Sequence, residues 1–143
     1  MPVATVTGAV LVKPYLMIGT TDLSAFVTDI HLADEYAEIE SGAGGKTGKA
    51  RFAGLQDQVI KVTMNQGFAA GGPDVTIRGV RGSSFLVTLR QSTDARGAEN
   101  PEYAYYGQIF SYDPFGGGAV GAKQEITVDI KLADGVPATP DVS

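Results

Sequence analysis

At 143 residues and 43% hydrophobic side chains, the chain is one domain's worth of sequence, able to bury ~70% of the surface its unfolded form exposes. The absence of Cys rules out a disulfide framework, a thiolate zinc site and a cysteine nucleophile. A formal charge of −5 from 16 acids and 11 bases argues against a cationic nucleic-acid binder, and no apolar run approaches the ~18 residues of a membrane span.

Residues 1–14 read as an N-terminal arm; Met1–Thr5 lack the cationic head and apolar stretch of a signal peptide. Tyr15–Ile18 is a weak strand. Phe26–Leu32 alternates Phe26, Thr28, Ile30 and Leu32 against Val27, Asp29 and His31, the period of a half-buried strand. Tyr36–Glu40 is a weaker strand, and 41–51 a flexible loop opened by Gly42, Gly44 and Gly45. Val59–Phe68 alternates again through Ile60, Val62 and Met64. A short helix is expected after Gly71-Gly72: Pro73 suits its first position, Asp74 its dipole, and Gly79 or Gly82 its end. Phe85–Gln91 buries Phe85, Val87 and Leu89. Tyr103–Tyr112 is apolar on both faces, hence covered on both sides. After the Pro114–Gly118 turn, Glu125–Leu132 is the clearest strand, and 133–143 reads as a flexible C-terminal arm. Many strands and one short helix predict a single all-β domain, a β-sandwich or small barrel over 15–132.

Apparent chemical motifs fail on context. Gly116–Gly121 fits G-x-G-x-x-G, but a strand follows it where dinucleotide binding requires a helix. Gly45-Lys46-Thr47 resembles the end of a phosphate-binding loop, yet Glu40 stands where its first Gly belongs. His31 is alone, on an outward strand phase, with no positioned nucleophile or orienting carboxylate. Asp34, Glu35, Glu38 and Glu40 lack the spacing of a calcium loop. The sequence therefore assigns no catalytic residue, no metal ligand and no cofactor. Charge is segregated. Residues 1–40 carry six acids and one base, 41–96 eight bases and three acids, and 97–143 seven acids and two bases. Such opposite-sign surfaces suit head-to-tail contact between copies.

Asn100-Pro101-Glu102-Tyr103-Ala104-Tyr105-Tyr106-Gly107, followed by Tyr112-Asp113-Pro114-Phe115-Gly116-Gly117-Gly118-Ala119-Val120-Gly121, resembles the C-terminal half of the tail tube (major tail) proteins of long-tailed bacteriophages, most like those of actinobacterial phages. Asp22–Thr28, Arg51–Asp57 and Asn65–Gly71 are similar, in order, to earlier parts of that family. The glycine-interrupted, basic stretch Asp74–Gly79 departs from the bulkier apolar run expected there.

The resemblance implies a tail-tube-like fold without an added C-terminal domain. It also implies a structural virion protein, made in the bacterial host cytoplasm, whose hexameric rings stack into a hollow tube. Its partners would be itself, the tape measure, tail terminator and distal tail proteins, with DNA passing transiently through the lumen and no membrane involved. On that basis Asp29, Glu38, Glu125 and Asp129 are candidates for the lumen wall, where carboxylates repel phosphate. Lys46, Lys49 and Arg51 are candidates for contact between rings. Alternatives are a tail terminator, a head–tail adaptor, an injection-device tube, or a carbohydrate-binding sandwich stacking sugars on Tyr103, Tyr105, Tyr106 and Tyr112.

Overall fold

The computed structural model describes residues 13–41, 48, 50–117 and 119–142. Its strands are β1 (Tyr15–Ile18), β2 (Thr21–Asp22), β3 (Val27–Ser41), β4 (Ala50–Asn65), β5 (Phe85–Arg90), β6 (Glu102–Gln108) and β7 (Glu125–Leu132). A 3-10 turn covers Ser24–Phe26, and one helix, α1, covers Pro73–Val80. All pairings are antiparallel, in the order β2-β1-β5-β6-β7-β4-β3.

The alternation seen in the sequence places Leu16, Ile18, Val87, Leu89 and Tyr105 on the inner face of one half of this sheet. Ile60, Val62, Met64, Ile126, Val128 and Ile130 line the inner face of the other, and all join one core. The halves meet at a seam two residues long, Gly107↔Leu132 and Gln108↔Lys131. The short seam lets the sheet fold over on itself as a sandwich. Gly107 is required there, since a Cβ would lie 2.5 Å from Ile130 Cγ2. Tyr105 fastens the halves: its hydroxyl accepts the Ile60 N–H (3.2 Å) and donates to the Ile130 carbonyl. Burial pushes this phenol above its ordinary range.

Helix α1 starts at Pro73, as expected, runs through Gly79 and stops before Gly82, whose φ is +84°. Asp74 is buried, and its carboxylate accepts the Tyr112 hydroxyl (2.7 Å) and the Arg78 Nε–H (2.8 Å). The Tyr112 hydroxyl in turn accepts Gln66 Nε2–H (2.9 Å). These bonds tie α1 to the loop after β6 and to the end of β4. They explain one departure from expectation: β6 ends at Gln108 instead of reaching Tyr112, because Tyr112 turns out of the sheet to bind Asp74. Residues 133–142, expected as a flexible arm, pack back on the body, with Ala138 buried. The expected strands at Phe26–Leu32 and Tyr36–Glu40 are one continuous strand, and its partner starts at Ala50, nine residues before Val59.

Candidate assembly interface

Joining these segments makes the molecule's most prominent feature. β3 and β4 pair from Val27↔Met64 to Ser41↔Ala50, whereas β7 covers β4 only from Val59 to Asn65. The outer part of the hairpin therefore runs beyond the core as a two-stranded ribbon. A two-stranded ribbon has no buried face of its own and is marginal in water. A register shift between Tyr36 and Glu38 sets Ala37 against both Gly54 and Leu55. This bulge increases the local twist, and a Cβ at Gly54 would come within 3.1 Å of Ala37 and Ile39.

The ribbon displays apolar side chains to solvent. Leu55 is 87% exposed, Tyr36 60%, Phe52 59% and Ile39 52%. Ile39 and Phe52 are cross-strand partners on one face, while Tyr36 alternates to the other. The ribbon thus exposes large apolar side chains on both of its faces. Arg51 lies on this ribbon with its Nε 2.5 Å from Glu38 Oε1 and 3.9 Å from Glu40 Oε1. Lys46 and Lys49 lie outside the described residues.

The acidic candidates separate into two places. Asp29, Glu125 and Asp129 share the outer face of β3-β4-β7, where Asp129 stands opposite Lys61 and Glu125 opposite Asn65. That face also carries Thr63 and Thr127, joined at 3.1 Å, and His31, whose Nε2 lies 3.1 Å from Asp29 Oδ2. Glu38 alternates to the opposite phase and belongs to the ribbon, paired with Arg51.

The aromatic candidates do not make one stacking platform. Tyr105 is consumed by the core and Tyr112 by Asp74, while Tyr106 is exposed on the other face of β6. The glycine loop closes over the start of β7, not over a helix: Gly116, at φ +65°, sits so close to the Glu125 carbonyl that any side chain would collide. Among the described residues no group of His, Cys, Asp or Glu is placed to hold a metal, and no helix is long and apolar enough to cross a membrane. Sequence reasoning missed the ribbon itself. Its only signal was Tyr36, Ile39, Phe52 and Leu55 lying in otherwise polar stretches.

The arrangement is a small folded-over antiparallel sheet with one flanking helix and an overlong hairpin. It superimposes with a TM-score of 0.59 on a chain from the tail of an empty GTA particle, determined by helical refinement with C6 symmetry. The identity is 11%, and the match covers 92% of this chain and 94% of that one. It also matches the Dit protein (gp 19.1) of phage SPP1, a hub of the adsorption apparatus in phages infecting Gram-positive bacteria. There the TM-score is 0.50 and the identity 15%, over 85% of this chain and half of the Dit chain. No protein-family model and no curated protein sequence matches the chain. The two likenesses show the all-β, tail-tube-like fold.

Proposed function

We propose that this chain is a structural subunit of a phage-type tail, assembling with copies of itself into hexameric rings that stack into a hollow tube traversed by DNA. The observation that carries the reading is the β3–β4 ribbon: four large apolar side chains held in water, on a strand pair with no core of its own. Such a ribbon gains stability by lying against another copy, where burial stabilises by about 25 cal/mol per Å2 of apolar surface. The near end-to-end match to a GTA tail subunit supports the same conclusion.

The outer face of β3-β4-β7, bearing Asp29, Glu125 and Asp129, is the proposed channel wall, because its carboxylates repel the phosphates of passing DNA. The ribbon end with Arg51 is the proposed contact with the next ring, through acidic surface on that ring.

The likeness to SPP1 Dit favours a second reading, a single ring at a tail hub. Negative-stain electron microscopy of the purified chain separates the two. Long uniform tubes support the tube subunit, isolated rings support the hub, and a monomer at every concentration contradicts both.

A further inference from the structure

After Leu132 the chain continues along the sheet. Ala133 donates its backbone N–H to the Tyr106 carbonyl (2.9 Å), and Asp141 exchanges both backbone hydrogen bonds with Glu102 (2.8 Å each). Tyr106 and Glu102 lie on the edge of β6 that β7 leaves uncovered, since β7 pairs only with Gly107 and Gln108. The tail thus acts as an added strand, a mode in which main-chain bonds supply the affinity. Residues 134–140 arch between these anchors where β6 needs only residues 103–105, so the tail has slack, with Gly135 at φ +75° near its start.

One side chain pins the arch. Gln58 is 1% exposed; its Nε2 donates to the Ala138 carbonyl (3.0 Å) and its Oε1 accepts the Ala138 N–H (2.6 Å). An amide that satisfies both backbone groups of one residue reads main chain. Arg96 NH1 then meets Asp141 (3.0 Å) and Glu102 (2.8 Å).

These contacts are to backbone, to the Asp141 charge and to the buried Ala138 methyl group, all of which the tail of an identical copy carries as well. Straightened, the seven residues of the arch span about 23–25 Å between Ala133 and Asp141, and Ala138, five residues past Ala133, can move out by about 17–18 Å. We propose that Gln58 and the β6 edge at Glu102 form a strand-accepting site. Residues 138–141 of the same chain fill it in the free subunit, and those of an adjacent copy fill it in the assembly, an exchange of identical elements. The proposal rests on the reading of the chain as a self-assembling subunit.

Because the chain has no Cys, the test uses two full-length variants, Glu102→Cys and Asp141→Cys, mixed, assembled and then oxidised. Hydrogen-bonded antiparallel partners stand ~5.5 Å apart at Cα, within disulfide reach. The expected result is a disulfide between positions 102 and 141 of different variants, identified by peptide mass spectrometry, in the assembled fraction and absent from unassembled protein. Assemblies lacking that link overturn the exchange while leaving the tube reading intact; failure of the unmodified chain to assemble at all overturns both. The double variant, Glu102→Cys with Asp141→Cys, covers the case in which the single variants do not co-assemble. Oxidised before assembly, it holds the tail on its own body, and it is expected to lose assembly until reductant is added. Undiminished assembly of the locked subunit contradicts the proposal.

Discussion

Two side chains fasten parts of the molecule that the backbone ladders leave loosely joined. The Tyr105 hydroxyl occupies both the Ile60 N–H and the Ile130 carbonyl in the buried core. Tyr105→Phe keeps the ring and leaves both groups unsatisfied, which costs roughly 1–3 kcal/mol; the urea midpoint should fall with the slope unchanged. Since burial raises the folded-state pKa of this phenol, the unfolded chain releases its proton first. Its contribution is therefore complete below pH ~10 and lost as pH rises beyond it. Asp74 behaves oppositely. The Tyr112 hydroxyl, then Arg78, hold its carboxyl below the usual range against the opposing effect of burial. Its stabilisation is present above pH ~4 and disappears as pH falls through the depressed folded value. Asp74→Asn should lower the melting temperature at neutral pH and flatten the acid limb of the stability profile. The sequence marked Asp74 as a helix-start residue, but its partner Tyr112 lies 38 positions away, and no local pattern signals that pairing.

At the scale of elements, whatever one buried face dictates was readable. β7 shows strict alternation because Ile126, Val128 and Ile130 face the core while Glu125, Thr127 and Lys131 face water, and its predicted limits match the structure. The ribbon was not readable because residues 33–40 and 50–57 bury neither face in this chain, so their period-2 signal is diluted by Ala, Glu and Gly. If the ribbon serves contact with a second copy, its pattern suits that surface and not its own core. Leu55→Asp and Phe52→Ser should accordingly leave monomer stability within about 0.5 kcal/mol while reducing assembly, measured by sedimentation. A loss of folding instead would assign these residues to the subunit's own core. Gly107→Ala acts the other way. A methyl group aimed at Ile130 spreads the seam between the two halves, an overpacking cost of about 1–3 kcal/mol visible in thermal unfolding of the monomer.

The whole molecule is a small sandwich whose chemistry is directed outward. Tyr105, Asp74 and Gln58 are each engaged in holding elements together, whereas Leu55, Phe52 and Ile39 are exposed on the ribbon. If the face with Asp29, Glu125 and Asp129 lines a channel, Lys at these three positions should slow DNA ejection from reconstituted particles without altering tube length; unchanged ejection kinetics would remove that face from the lumen. The class of fold was legible from alternation and glycine turns, and the short helix from Pro73 and Asp74. What required coordinates was which strands continue beyond the core and where the tail docks, since both depend on contacts between residues distant in sequence. The central claim is that copies of this subunit complete one another. Electron microscopy of the purified full-length chain across a concentration series, with the Leu55→Asp variant alongside, tests it most directly. Regular hollow tubes or rings from the unmodified chain, lost in the variant, are expected; a well-folded monomer at every concentration would contradict it.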